Sequence, residues 1–217
     1  MTSLAFYNLK APVKFFLKSW IFISVLILSG CATLSVPPQD VPQTQNTKQA
    51  WTKYQSILTP LSMWTSKGVI GIRIGDQGES ANFIWKQNQS EFYIELYGPL
   101  GIGAVSIEGN KKAVKLTKNN GDVFRASSAE YLMDQQLGWH VPIYGLYYWG
   151  RGLPDPNQPS QIKLNSLGLI ANLKQNGWDI TYSKYMIQGN QYPLPGKIVM
   201  EQDDLRITAI NKSWGFK

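Results

Sequence analysis

Hydrophobic and polar positions along most of this chain recur at two distinct periods. Trp51, Tyr54, Leu58 and Leu61 fall at i, i+3, i+7 and i+10, one face of a helix, and Pro60 sets its end. From residue 65 to 126 the pattern becomes that of short strands. Residues 69–74 run to a Gly75–Gly78 turn; 80–87, 91–97, 104–108 and 114–117 follow, with Phe83 and Trp85 in the second of these. Asn119-Asn120-Gly121 is a strong hairpin signal. Short strands at such even spacing, separated by turn residues, predict an antiparallel meander or barrel.

A helical insert interrupts the strands. Ser127-Ser128-Ala129-Glu130 predicts a capping box with Ser127 as N-cap, Tyr131, Leu132 and Leu137 supply an apolar side, and Gly138 ends the helix. Pro142 starts a second short helix through Tyr148-Trp149, and Gly152-Leu153-Pro154-Asp155-Pro156 reads as loop. Strands resume at 167–173, 178–185, 197–201 and 205–210, with turns at Asn176-Gly177 and Asp203-Asp204.

The first residues follow a different rule. Lys10, Lys14 and Lys18 precede an apolar run over 19–28, which is too short for a spanning helix of about 20 residues and suits a cleaved signal. Leu28-Ser29-Gly30-Cys31 has the form of a lipobox. Cys31 is the only cysteine, so its thiol forms no internal disulfide and is free to carry lipid. Residues 1–30 are read as signal peptide and 31–48 as the lipidated cysteine with a Pro-, Gln- and Thr-rich flexible tether. Residues 49–217 are read as a single domain.

Without residues 1–30 the net charge falls from +7 to +4, and the basic residues are scattered apart from Lys111-Lys112, which argues against nucleic acid as a partner. The chain holds eight Trp and eleven Tyr, enough to build an aromatic core or to line an apolar cavity. Catalytic chemistry is sparse. The single histidine, His140, stands beside Trp139 with no G-x-S-x-G sequence to partner it, and Glu91 and Glu95 read as a solvated strand face. No Walker A sequence occurs, and Ser106 replaces the third glycine after Gly101-Ile102-Gly103.

Taken in order, these features resemble the LolB family of outer-membrane lipoprotein receptors. The features are the lipobox, the helix with Trp51, Lys67-Gly68, Phe83-Ile84-Trp85, the strand from Tyr93 to Leu96 and Gly98-Pro99-Leu100-Gly101. Asn120-Gly121 then precedes a capped helix, and Trp149 with Gly152-Leu153-Pro154, Asn176-Gly177-Trp178, Tyr192-Pro193-Leu194-Pro195 and Trp214 complete the series. Gly98 departs from the family's Asn, a change that a hairpin loop accepts.

The resemblance implies a mainly β, α+β fold: an incomplete antiparallel β-barrel enclosing an apolar cavity, covered by short helices. It implies a monomeric receptor, not an enzyme, anchored in the outer membrane and facing the periplasm. Such a receptor accepts lipoproteins from the periplasmic carrier LolA, binds their acyl chains and passes them to outer-membrane phospholipid. No cofactor is implied beyond the covalent lipid on Cys31. Pro99, Leu100 and Gly101 match the family's membrane-insertion loop, and Trp85, Trp149, Trp178 and Trp214 match tryptophans expected at the cavity or its lid. Without the resemblance, two other readings stand: a lipid-anchored structural or envelope-assembly subunit with a filled β core, and a hydrolase using His140.

Overall fold

Tight turns with left-handed backbone set the topology. Asn176 and Gly177 (φ 53° and 79°) make the mirror-image turn whose twist matches that of a hairpin, and Gly75, Gln89, Gly121 and Asp203 also carry positive φ between consecutive strands. The computed structural model describes residues 39–98, 103–138 and 140–217. Its elements are β1 (Gln39–Asp40), α1 (Thr47–Leu58), β2 (Met63–Ile74), β3 (Gln77–Asn88), β4 (Glu91–Tyr97), β5 (Val105–Gly109), β6 (Val114–Lys118) and β7 (Val123–Ala126). There follow α2 (Ala129–Leu137), α3 (Ile143–Trp149), β8 (Gln161–Leu164), β9 (Ile170–Gln175), β10 (Trp178–Gln188), β11 (Tyr192–Gln202) and β12 (Leu205–Phe216).

All strands belong to one antiparallel sheet of order β7-β6-β5-β4-β3-β2-β12-β11-β10-β9-β8, with β1 added against β10. The end strands β7 and β8 are not paired with each other, so the barrel remains open, as the resemblance implied. An open sheet with one apolar face must bury that face against something else. On the β8–β11 side the cover is packed solid: Trp149, Leu169, Ile170, Leu173, Trp178, Ile180, Tyr182 and Tyr185 fill it. On the β4–β7 side α2 lies over Phe92, Ile107, Val114 and Leu116 through Ala129, Leu132 and Met133.

Several boundaries differ from the sequence expectation. The N-cap of α2 is Ser128, not Ser127: its hydroxyl accepts from the Tyr131 N–H and donates to Glu130, so the expected capping box is shifted out of register. The fold reaches back into the segment assigned to the tether, where Gln39 and Asp40 pair with Ile187 and Met186 and Val41 is buried. β11 begins at Tyr192, five residues before the expected start at 197, and takes in Pro193 and Pro195. Both stand where β11 pairs with β10 alone, because β12 joins it only from Lys197, so their missing N–H groups forfeit no ladder bond on that side. Asn211 supplies the donor instead, from Nδ2 to the Pro195 carbonyl at 2.8 Å.

Two neighbouring tyrosines in the filled half are fully buried and differ in one bond. Tyr185 donates to the Ile170 carbonyl at 2.9 Å, whereas the Tyr182 hydroxyl has no partner among the described residues. Burial raises the pKa of both above the ordinary 10.0. Tyr182→Phe is therefore expected to hold or raise stability, by up to about 1 kcal/mol, and Tyr185→Phe to lower it by about 1 kcal/mol, in chemical denaturation. A raised folded-state pKa contributes stability below pH 10 that is lost as pH rises above it. Tyr182→Phe should accordingly flatten the fall in stability above pH 10.

Candidate functional site

The two-residue period of the strands builds one continuous apolar wall. Ser66, Ile70 and Ile72 of β2, Phe83 and Trp85 of β3, Ile94 and Leu96 of β4, and Val105 and Ile107 of β5 all face inward. Ile198 and Met200 of β11 and Ile207 and Ala209 of β12 extend it on the other side. Met133 and Leu137 of α2, with Val141, Ile143 and Leu146 leading into and along α3, form the roof. Between wall and roof lies a void of about 100 Å³. Apolar voids of that order stay dry and accept small apolar molecules. Its polar members satisfy one another: Ser66 Oγ donates to Asn211 Oδ1 at 2.9 Å, while Asn211 Nδ2 is held by Pro195.

One irregularity decides which tryptophans reach this void. Along β12, Ile207, Ala209 and Asn211 face inward, and strict alternation would then turn Trp214 outward. The pairing with β2 shifts between Asn211 and Ser213, so that Trp214 lies opposite Ser66 and faces the void. There it meets Trp64 at 5.3 Å between ring centroids, and Trp64 meets Trp85 at 5.1 Å, both pairs tilted. Gly68 makes this corner possible, since a Cβ there would stand 1.9 Å from the Ile210 carbonyl oxygen and 2.8 Å from Phe83.

Trp85 and Trp214 thus line the void, and Trp149 and Trp178 do not. The latter two, 6.1 Å apart, belong to the solid core, where Trp149 Nε1 donates to Gln175 Oε1 at 2.7 Å. Of these two, expected at the cavity or its lid, Trp149 ends the roof helix α3 with its ring packed into the filled half, and Trp178 lies in that half on β10. Cys31, Pro99, Leu100 and Gly101 lie outside the described residues. His140 is 79% exposed, with Nδ1 3.0 Å from an Asp134 carboxylate oxygen at the surface, away from the void.

Trp64 escaped the sequence reading, which began the strands at residue 65; a start two residues earlier puts it in phase with Ser66, Ile70 and Ile72. Arg151 also escaped, since Gly150-Arg151-Gly152 resembles a solvated turn. It is fully buried. Its Nη1 donates to the carbonyls of Leu58 (2.8 Å) and Leu61 (2.6 Å), its Nε to that of Tyr147 (3.0 Å), and its guanidinium lies over the Tyr147 ring at 4.1 Å. Burial lowers its pKa and the two neighbouring tyrosines oppose that shift.

The sequence model of the family described as outer membrane lipoprotein LolB matches residues 62–214. A protein named outer-membrane lipoprotein LolB from Francisella tularensis subsp. tularensis is 41% identical over 192 residues, spanning 88% of this chain and 90% of its own. One of the same name from Stutzerimonas stutzeri is 39% identical over 189 residues, spanning 87% and 90%. Among solved structures, a LolA superfamily protein from Nitrosomonas europaea is similar in fold, with a TM-score of 0.52 at 10% sequence identity over 79% of this chain and 93% of that one.

The separation of lining from core tryptophans is measurable by fluorescence. Hexadecyl bromide entering the void is expected to quench Trp64, Trp85 and Trp214 by contact of bromine with the indole. Trp214→Phe should then reduce the quenched emission, while Trp178→Phe removes only emission that the probe does not quench.

Proposed function

The chain belongs to the LolB family of outer-membrane lipoproteins, whose role is lipoprotein localisation, and on that premise we propose that it accepts lipoproteins from the periplasmic carrier LolA by taking their acyl chains under α2 and α3 and then delivers them to the outer membrane. The observation that carries this reading is the apolar void whose corner is built by Trp64, Trp85 and Trp214. Removing an acyl chain from water is worth about 0.8 kcal/mol per CH₂, so a chain of roughly 15 such groups is held by on the order of 12 kcal/mol. Such cargo needs an apolar host throughout its passage. Exchange between two similar hosts is close to balanced and proceeds without nucleotide.

α2 and α3 cover the void, so uptake of an acyl chain is read as the roof moving off the sheet. The roof is built for separation at modest cost. α3 is seven residues long and has no side-chain N-cap bond, and α2 ends at Gly138 in left-handed conformation (φ 71°). The solid half behind Trp149 and Trp178 stays packed while this happens.

No helix among the described residues is long and apolar enough to cross a membrane. Lipid on Cys31, the reading of its lipobox, is the proposed attachment. Leu96 pairs with Val105, so Pro99, Leu100 and Gly101 belong to the connection between neighbouring strands β4 and β5. A large apolar residue in such a connection suits contact with the bilayer during release.

Purified LolA loaded with a lipoprotein should pass its cargo to this protein and onward to vesicles, followed by sedimentation. Failure of the first transfer would sink the receptor reading in favour of a structural subunit. Leu100→Glu should leave uptake from the carrier intact and slow vesicle insertion at least tenfold; normal insertion by that variant would remove the loop from the mechanism.

A further inference from the structure

Beside the apolar void lies a second cleft of about 240 Å³, and Trp85 and Ile143 form part of both walls. Its other side carries Lys111, Tyr147, Tyr148 and Asp155. The two spaces differ in chemistry and share a boundary, which is the arrangement an amphipathic ligand requires: chains on one side, a polar head on the other.

The junction holds a surplus of hydrogen-bond donors. The hydroxyls of Tyr147 and Tyr148 line the cleft and donate to no acceptor among the described residues, and the two rings fix each other edge to face at 4.9 Å. Two buried donors without partners among the described residues belong to the surrounding cluster: Trp64 Nε1, whose ring packs on Trp85, and Arg151 Nη2, whose guanidinium lies over Tyr147 and Tyr148. Most acceptors in the same place are already engaged. Gln87 Oε1 accepts from Trp85 Nε1, the Leu58, Leu61 and Tyr147 carbonyls accept from Arg151, and one Asp155 oxygen accepts from the backbone and side-chain nitrogens of Asn157, which leaves the second Asp155 oxygen open. An unpartnered buried donor is costly, and a cluster of them favours an acceptor-rich ligand.

We infer that this cleft is a subsite for the carbonyl-rich head of the cargo: the glyceryl esters, the N-acyl amide and the first backbone carbonyls of an acylated N-terminal cysteine. The Tyr147 and Tyr148 hydroxyls donate to those carbonyls while the chains lie in the adjoining void. The inference rests on the reading that the void takes acyl chains. Glycerophospholipids share the ester carbonyls but add an anionic phosphate. The lining of the cleft sets one lysine against one aspartate, and the further cation, Arg151, stands against the tyrosine rings and is not part of that lining, so the walls themselves offer no net positive charge to hold that phosphate.

The test compares the intact wild-type chain with the Tyr147→Phe/Tyr148→Phe double variant. Binding of three probes is measured: a tripalmitoyl-cysteinyl peptide, dipalmitoylphosphatidylglycerol, and hexadecyl bromide, which has no carbonyl. The phenyl rings keep the packing on Arg151, so the bromide reports whether the void survives the change. The expected result is about tenfold weaker binding of the lipopeptide, the loss of two neutral hydrogen bonds, with the other two probes within twofold of wild type. Unchanged lipopeptide affinity would overturn the subsite. An equal loss for the bromide would assign the tyrosines to the void itself, and an equal loss for the phospholipid would make the site a general glyceryl-ester site; either result overturns the inference. Wild-type protein that binds neither bromide nor lipopeptide would instead refute the acyl-chain reading on which the inference stands.

Discussion

One buried cation among the described residues, Arg151, joins the end of the roof to the sheet. Arg151 has no carboxylate partner within salt-bridge distance among the described residues. Its charge is balanced by the carbonyls at the C-terminal end of α1 and of the segment entering β2, where helix-end carbonyls carry partial negative charge, and by two tyrosine faces. Because α1, the start of β2 and the end of α3 all converge on one guanidinium, the end of α3 is tied to the sheet. The rest of the roof is held mainly by side-chain packing. Removing a buried charge's partners is far more expensive than separating apolar surfaces, so in the proposed uptake the end of α3 is the part that stays fixed.

The sheet shows a similar division. Its filled half uses the inner faces of β8 to β11 to bury Trp149 and Trp178, while its hollow half uses identical alternation on β2 to β5 to line a void. What differs is the cover: bulky core side chains on one side, two short helices on the other. The register shift in β12 is the device that brings a third tryptophan to the hollow side without changing the strand's pairing partner.

Much of this was legible in the sequence, and what was missed has identifiable causes. β4 was read to the residue because Glu91–Tyr97 alternates cleanly between two turn signals. β11 was cut short because Pro193 and Pro195 look like breakers, and only the departure of β12 shows why they are tolerated. The outward half of β12 was missed because Asn211, Lys212 and Ser213 hide the strand beneath a polar run. Trp149 could not be told from a cavity residue, since a core indole and a lining indole look alike until Gln175, distant in sequence, is seen to accept its proton. Arg151 is the extreme case: the carbonyls of Leu58 and Leu61, through which it ties α3 to the sheet, stand some ninety positions away.

The short β1 strand has a mechanical consequence. On the proposed lipidation of Cys31, the pairing of Gln39 and Asp40 with β10 leaves a leash of only eight Cα–Cα steps from the lipid to the folded body, a contour of about 28 Å at full extension. A longer leash would let the body tumble and present any surface to the bilayer. One this short confines it to a shell close to the headgroups and makes some orientations geometrically forbidden. Lengthening the leash by a flexible insert would therefore leave every contact within the fold unchanged, yet alter how often the release surface faces the membrane.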